Sequence, residues 1–418
     1  MPFSTRPPET TGNHERPDVL AAPDPSHHPL NRPGLWALLF LLGRGVLLLS
    51  LPYEALKAYG DLWNFYRLAA TPGWPYLDYW AEFPPLYPFL AEVFYCLAGG
   101  QEHAFVYLHV LGMTLAQAGS VYLFARLVQG RDVAFLRLAF YVFLHMGLFY
   151  TWGYFDALAV FFLLLGLWAG LWNRPGLAGL ALGLGGLTKW FPLVVLLVFL
   201  PYRGMERGAW RKVAFLWGLA WFVVVGVWGG LWVWGDGYTQ YSWRAQSRRP
   251  PWESPWALFH GRLATGNFPA YDRTQPPLLD ATFPAWERAL PWAAFAALLL
   301  LGFGLFRRRQ PLPSSETFLP QTAWVLGAFF LTSWGYSPQW VLYTLPLFLL
   351  VLPWPTAALW SLLWLLLHLL EWPLALSRGW FEVLWVLVPI RLLALGIGLI
   401  VLSTMARSPN RVRDQRGE

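Results

Sequence analysis

Apolar segments long enough to cross a lipid bilayer recur along this chain of 418 residues. A transmembrane helix needs about 20 predominantly apolar residues. Ten segments reach or approach that length, at residues 35–52, 104–127, 134–150, 154–172, 212–234, 286–306, 319–334, 338–353, 355–371 and 380–405. Because 56% of the residues are hydrophobic and only 13% are charged, a soluble globular fold is excluded. The sequence predicts an all-α, polytopic membrane protein.

Two further apolar segments decide how many times the chain crosses. Residues 84–98 either cross once or stay at the outer face, and residues 176–202 either cross once or form a hairpin of two short helices around Lys189. Basic residues accumulate in cytoplasmic loops. If 84–98 stays outside and 176–202 is a hairpin, the basic clusters all become cytoplasmic, namely Arg126, Arg131, Arg137, Arg174, Arg203, Arg207, Arg211, Lys212, Arg307–Arg309 and the C-terminal arginines. This solution has about 12 transmembrane helices and places both termini inside.

The same solution divides the chain into one membrane domain and two tails. Residues 1–34 are polar, rich in proline and without apolar periodicity, so we expect a disordered cytoplasmic tail. Residues 35–405 form the transmembrane domain, and residues 406–418 form a second cytoplasmic tail. Two long loops, 53–103 and 235–284, lie on the outer face. The only cysteine, Cys96, excludes an intrachain disulfide and a metal cluster built from several cysteines.

The first outer loop combines carboxylates with many aromatic residues. It carries Asp61, Asp78 and Glu82, and Pro84 and Pro85 end any helix that precedes them. A loop that only joins two membrane crossings needs none of these carboxylates. The pattern therefore indicates one or two short juxtamembrane helices and chemistry at the membrane surface.

Two charged residues stand at the ends of apolar segments. Asp156 begins the fourth crossing on the same side as Asp61, where it either caps the helix or serves a functional site. Lys189 stands at the apex of the predicted hairpin, also on the outer face. Its ammonium either reaches toward the membrane interface or supplies a point charge to a phosphate group.

Other polar residues of the outer face are candidates for ligand binding. Tyr336 and Gln339 lie in a polar and aromatic turn between two crossings and are able to hydrogen-bond a sugar. The long outer loop contains five arginines, which are either solvated or bind an anion, namely Arg244, Arg248, Arg249, Arg262 and Arg273.

Several common functional motifs are missing from the sequence. The histidines show no paired spacing typical of a metal site. There is no P-loop, no dinucleotide-binding glycine motif and no nucleophile elbow. Nothing predicts a nucleic-acid partner.

The order of these motifs resembles that of the GT-C superfamily of integral membrane glycosyltransferases. The similarity runs from about Leu35 to Val351 and rests on an early acidic residue in the first outer loop followed by GWPYLDYWAEFPPLYPFL, GYFDAL, GLTKWFPLVVLLVFLPYR and SPQWVLYTLPLFLLV. Within the superfamily, the chain is most similar to bacterial polyprenyl-phosphate-mannose-dependent mannosyltransferases and to the catalytic subunits of GPI mannosyltransferases. The resemblance implies a GT-C fold in the plasma (inner) membrane and inverting sugar transfer on the extracytoplasmic side.

The resemblance also implies roles for particular residues. The donor is a polyprenyl-phosphate-linked sugar, commonly mannose, and the acceptor is a lipid, a glycan or a protein. Asp61 matches the catalytic base, Asp156 a second acidic position, and Lys189 a basic position near the donor phosphate, which Arg244, Arg248 and Arg249 are expected to assist. Asp78, Glu82, Tyr336 and Gln339 are the predicted substrate-binding residues. The lone Asp61 departs from the adjacent acidic pair of the family, so the sequence leaves open whether Mg²⁺ or Mn²⁺, held by Asp61 or Asp156, takes part.

A secondary transporter or flippase of a lipid-linked or small polar substrate is the alternative from another functional class. Twelve crossings with both termini inside are common among transporters. Transporters usually consist of two related halves, with ionisable residues near the middle of the membrane. This chain shows no internal repeat, and its acidic residues collect at one face.

Overall fold

The computed structural model describes residues 32–200, 207–235, 237–261, 263, 272–277, 283–307 and 315–405. These residues form helices and no β-strand, which confirms the all-α prediction. The two predicted cytoplasmic tails lie almost wholly outside the described residues, as does Arg262. In chain order the α-helices are α1 (Pro33–Ser50), α2 (Tyr53–Lys57), α3 (Leu62–Ala69), α4 (Leu86–Leu97), α5 (Glu102–Val128), α6 (Ala134–Met146), α7 (Tyr150–Gly153), α8 (Asp156–Leu171), α9 (Pro175–Thr188), α10 (Phe191–Val194), α11 (Arg207–Trp234), α12 (Tyr238–Ser247), α13 (Pro255–His260), α14 (Ala285–Arg307), α15 (Ser315–Thr332), α16 (Val341–Val351), α17 (Trp354–Leu369) and α18 (Leu384–Met405).

Within the described ranges, six helical segments are long and apolar enough to cross a membrane. They are Pro33–Ser50, Glu102–Val128, Gly208–Trp234, Ala285–Phe306, Trp354–Arg378 and Phe381–Thr404. Shorter apolar helices lie between them, including α6, α8 and α9. The protein is therefore an integral membrane protein, and the count of twelve crossings stays a prediction.

Helices α5, α8, α9 and α11 pack side by side, α5 against α8, α8 against α9 and α9 against α11. Glycines make the contact between α9 and α11 close. A β-carbon added at Gly179 would lie 2.5 Å from the backbone oxygen of Leu216, and one added at Gly183 would lie 2.9 Å from that of Ala220. The glycine-rich sequence of α9 thus allows helix-to-helix approach at backbone distance.

Residues 53–103, which are called the first outer loop after their predicted side, contain the short helices α2 and α3, as the sequence predicts. Helix α4 begins directly after Pro85, and its residues Tyr87 and Ala91 are buried against α3 and α5. The proline pair therefore ends the loop and starts the helix that returns the chain to the bundle.

The chain breaks at Lys189, as the hairpin interpretation requires. Helix α9 ends at Thr188, and Lys189 has an extended backbone with φ −149° and ψ 144°. Helix α10 and the 3₁₀ segment Val195–Phe199 follow, and α10 packs back onto α9. The break leaves the lysine side chain at the end of a helix instead of on its lipid-facing side.

Candidate active site

A cavity of about 580 Å³ collects most of the predicted site residues. This volume lies within the range of about 300–1,000 Å³ that is typical of small-molecule sites. Segments far apart in the sequence line the cavity, namely the first outer loop with α3, the start of α8, the Lys189 break, the end of α12 with the loop after it, Asp272 and Arg273, the turn 337–340, and residues 372–376. Six predicted residues are among the lining residues, namely Asp61, Glu82, Asp156, Lys189, Arg249 and Gln339.

Asp61 precedes the first residue of α3, but its side chain does not cap that helix. The backbone N–H of Asp61 donates to Gly153 O (3.1 Å), and Asn64 Nδ2 donates to Asp61 Oδ1 (3.3 Å). Burial raises the pKa of Asp61 to about 6, although Asn64, Lys189 and Arg249 each favour the ionised form. A carboxylate with this pKa is ionised at neutral pH and is still basic enough to accept a proton.

Asp156 and Lys189 face each other across the inner end of the cavity. Lys189 Nζ lies 3.7 Å from Asp156 Oδ2, and the hydroxyl of Tyr343 donates to Asp156 Oδ1 (3.1 Å). Asp156 Oδ2 is buried and has no hydrogen-bond partner among the described residues. The ammonium of Lys189 also lies 4.6 Å from the centre of the Phe155 ring. The Lys189–Asp156 ion pair is longer than a hydrogen bond. The lysine ammonium therefore stays accessible to a ligand in the cavity.

The site offers a poor set of ligands for a divalent metal. No group of three or more His, Cys, Asp or Glu among the described residues is placed to hold a metal ion. The unpartnered oxygen of Asp156 lies beside the Lys189 ammonium, which repels a cation. Mg²⁺ and Mn²⁺ prefer several oxygen ligands. We therefore derive no catalytic step through a metal.

Glu82 forms an ion pair within the cavity wall. Arg273 donates to both carboxylate oxygens of Glu82, at 2.5 Å and 3.1 Å, and its guanidinium lies 4.9 Å from the centre of the Trp80 ring. Burial raises the pKa of Glu82, but the charge and hydrogen bonds of Arg273, a backbone hydrogen bond and the charge of Arg249 together lower it overall. The pair joins the long outer loop to the first outer loop, so Glu82 shapes the wall of the cavity.

Of the three arginines predicted to bind phosphate, Arg249 lines the cavity. Its guanidinium lies 5.0 Å from the centre of the Trp252 ring, and its charge acts on Asp61 and Glu82. Arg244 and Arg248 are not among the lining residues. Arg249 and Lys189 therefore supply positive charge to the cavity from two different segments.

Two predicted substrate-binding residues lie away from the cavity. The carboxylate of Asp78 accepts a hydrogen bond from the Trp74 backbone N–H (2.6 Å) and thereby closes a turn of the first outer loop. Tyr336 is buried, and its hydroxyl is hydrogen-bonded to His368 Nε2 (2.8 Å). Gln339, three residues further on, does line the cavity.

Sequence analysis missed several lining residues. Asn64 and Arg67 follow Asp61 on α3, and Trp252 and Trp372 form part of the wall. The spacing of three residues from Asp61 to Asn64 and then to Arg67 puts these side chains near one face of a helix. That periodicity was a usable signal, whereas nothing in the sequence singles out two of 28 tryptophans.

A second set of buried charges lies behind the cavity wall. Arg391 donates to both carboxylate oxygens of Glu371 (2.8 Å and 3.3 Å) and to the backbone oxygen of Glu253 (2.5 Å). Its guanidinium lies 3.8 Å from the centre of the Tyr336 ring. All three charged residues are fully buried. We call them the Arg391 cluster.

Comparison with known proteins assigns the chain to a family. Residues 86–333 match the sequence profile of glycosyltransferase family 87, a family of GT-C-like membrane enzymes. The match covers more than half of the chain and includes Asp156, Lys189 and Arg249, whereas Asp61 precedes it. No curated protein and no solved structure matches the chain significantly. This integral membrane protein therefore belongs to glycosyltransferase family 87.

Proposed function

We propose that the protein is an inverting hexosyltransferase of the GT-C type that moves a sugar from a polyprenyl-phosphate donor to a lipid, glycan or protein acceptor. The observation that carries the proposal is the convergence of Asp61, Asp156, Lys189 and Arg249 on one cavity. One carboxylate with a pKa near neutrality and two cations are the groups that this reaction needs.

In the proposed reaction Asp61 acts as the general base. It takes the proton of the acceptor hydroxyl while that oxygen attacks the anomeric carbon of the donor sugar. The bond between the anomeric carbon and the phosphate oxygen breaks on the opposite side, and its electron pair stays on the lipid phosphate. A single displacement of this kind inverts the anomeric configuration. A positioned base contributes about 10²- to 10⁴-fold to the rate.

The cations of the cavity stabilise the leaving group. The polyprenyl phosphate gains a negative charge as the glycosidic bond breaks, so it needs positive charge and no proton donor. Lys189 and Arg249 are the groups proposed for this task. Asp156, held by Tyr343, keeps the Lys189 side chain directed into the cavity.

Aromatic residues lead from the cavity to the apolar surface of α11 and form the proposed path of the donor's lipid tail. Trp190 lines the cavity and stacks on Trp228 of the apolar helix α11, with ring centres 5.8 Å apart. Trp243, which is exposed, lies edge-on to both rings. We assign the entrance of the polyprenyl chain to this side of the hairpin around Lys189.

The test of the function is a transfer assay. Membranes containing the protein are incubated with radiolabelled polyprenyl-phosphate mannose, and in parallel with other sugars on the same carrier. We expect transfer to a membrane-associated acceptor and its loss, by about 10²- to 10⁴-fold, in Asp61→Asn. Wild-type rates in that variant would move the base role to another carboxylate. Uptake of a radiolabelled solute into sealed vesicles without any transfer would support the transporter alternative.

We further propose that the cavity opens on the extracytoplasmic side of the plasma membrane. The distribution of basic residues supports this orientation. In a Cys96→Ser background, Gln101→Cys should react with a membrane-impermeant maleimide in intact cells, and Gln129→Cys only after permeabilisation. Both positions are exposed. The opposite labelling pattern would invert the topology and place the cavity in the cytoplasm.

A further inference from the structure

Two backbone segments are in direct contact next to the carboxylates of the cavity. One carries Asp61, and the other is the turn that precedes Asp156. The crossing is formed by Gly60, which precedes Asp61, and Gly153, which ends α7. A β-carbon added at Gly60 would lie 2.7 Å from both the Cα and the carbonyl oxygen of Gly153, and one added at Gly153 would lie 2.9 Å from the Cα of Gly60. All of these atoms belong to the backbone, so no side chain is free to rotate out of the way.

Neither glycine is required by its own backbone conformation. Gly60 and Gly153 are absent from the described residues with positive φ, so alanine is compatible with the backbone at either position. The requirement for glycine therefore arises from the contact between the two segments.

Hydrogen bonds fix the register of the crossing. The Asp61 backbone N–H donates to Gly153 O (3.1 Å), and the Tyr154 hydroxyl donates to Tyr59 O (3.0 Å). Gly60 is the residue directly before Asp61, and two residues separate Gly153 from Asp156. A displacement at the crossing is therefore transmitted to both carboxylates over a very short distance.

The turn is also held from the membrane side. Arg44 of α1 is fully buried, and it donates to the Thr151 hydroxyl (2.8 Å) and to the backbone oxygen of His145. Its guanidinium lies 4.7 Å from the centre of the Trp152 ring. Because the turn is anchored on this side, an added methyl group at the crossing has to displace one backbone segment relative to the other.

We propose that Gly60 and Gly153 are positioning residues that set the placement of Asp61 relative to Asp156 and the donor. The inference rests on the proposed function, because it gives these carboxylates their roles. A misplacement of about 1 Å at a catalytic group is able to cost about 10²-fold in rate.

The experiment compares Gly60→Ala and Gly153→Ala with the matched control Gly147→Ala. Gly147 lies in the same stretch between α6 and α8, and a β-carbon added there meets nothing within 4 Å. With radiolabelled polyprenyl-phosphate mannose, we expect kcat to fall about 10²-fold in the first two variants and to stay at the wild-type level in the control. The donor KM should change little in any of them, because Lys189 and Arg249 are untouched. Thermal unfolding of the purified variants should match that of the control.

The outcomes separate the inference from the function. If Asp61→Asn is inactive while Gly60→Ala and Gly153→Ala match Gly147→Ala, the crossing is only a packing contact and the inference is wrong. If kcat, donor KM and thermal stability decline together in both variants, the glycines serve the fold as a whole and the inference is also wrong. If Asp61→Asn keeps full activity, Asp61 is not the base and the inference loses its premise, whereas the absence of any transfer by the wild-type protein would contradict the proposed function itself.

Discussion

Two buried ion pairs of this protein differ in the distance between their charged groups and in their hydrogen bonds. In the cavity, Lys189 lies 3.7 Å from Asp156, and 14% of its side chain is exposed. Behind the wall, Arg391 contacts Glu371 at 2.8 Å, and the two side chains are 1% and 0% exposed. The first pair leaves a carboxylate oxygen without a hydrogen bond, whereas in the second both carboxylate oxygens accept from the arginine.

On the proposed function, the difference distinguishes Lys189, whose charge serves a ligand, from Arg391, whose charge stabilises the fold. Removing charges from water is costly, and a buried pair persists only where geometry and hydrogen bonds compensate that cost. Arg391 achieves this by also binding the backbone of Glu253, which joins three segments behind the cavity. Lys189 has a longer ionic contact, to Asp156 at 3.7 Å. On the proposed function, a donor phosphate is therefore able to displace Asp156 from the lysine ammonium.

The largest effect is expected from removing Arg391 from its ion pair with Glu371. Arg391→Met leaves Glu371 as an unpaired buried carboxylate, and we expect a loss of about 3–5 kcal/mol in the free energy of unfolding. Thermal unfolding in detergent and the yield of monodisperse protein measure the loss. The double variant Glu371→Leu/Arg391→Met should recover most of it, because the Glu371 carboxylate is removed together with its partner. A double variant as unstable as the single one would contradict this account.

Removing Lys189 from its ion pair with Asp156 should affect the transfer rate more than the free energy of unfolding. Lys189→Ala removes a charge-assisted contact to the donor phosphate, which is worth about 1.5–3 kcal/mol, so we expect kcat/KM for the lipid-linked donor to fall about 10- to 10²-fold. Lys189→Arg keeps the charge and serves as the control. If the dependence of the rate on donor concentration is unchanged in Lys189→Ala, the lysine only reaches toward the membrane interface and does not bind phosphate.

A smaller and graded effect is expected from pH. Since the pKa of Asp61 is about 6, kcat/KM should fall about tenfold per pH unit below that value as the base becomes protonated. The pKa of Asp61 is higher in the folded protein than its usual value of 3.8, so protonation favours the folded state. The titration of Asp61 should therefore not lower the thermal stability between about pH 7 and about pH 5. A flat activity profile over that range would exclude Asp61 as the base.

The sequence was sufficient to predict the residues whose placement follows from topology. Asp156 and Lys189 stand at the ends of apolar segments, Asp61 lies in the loop predicted on the same side, and all three line the same cavity. The all-α class and the break at Lys189 follow equally from the apolar pattern and from the residues that interrupt it.

Contacts between distant segments could not be predicted in this way. Asp78 and Glu82 are neighbours with the same charge, yet Asp78 closes a local turn while Glu82 pairs with Arg273, 191 residues away. A single sequence does not show which arginine of a long loop reaches which carboxylate. Glu371 and Arg391 gave a signal that sequence analysis did not use, because each is an isolated charge within an apolar segment.

The distribution of the cavity wall along the chain has a consequence for biosynthesis. Asp61 and Asp156 are translated in the first half of the chain. The turn 337–340, which also lines the cavity, is translated much later. A nascent chain that stops before this turn therefore carries the proposed base and its cation without the completed pocket around them. On the proposed function, sugar transfer then begins only after nearly the whole polypeptide has been inserted, and partly synthesised chains do not consume the proposed lipid-linked donor.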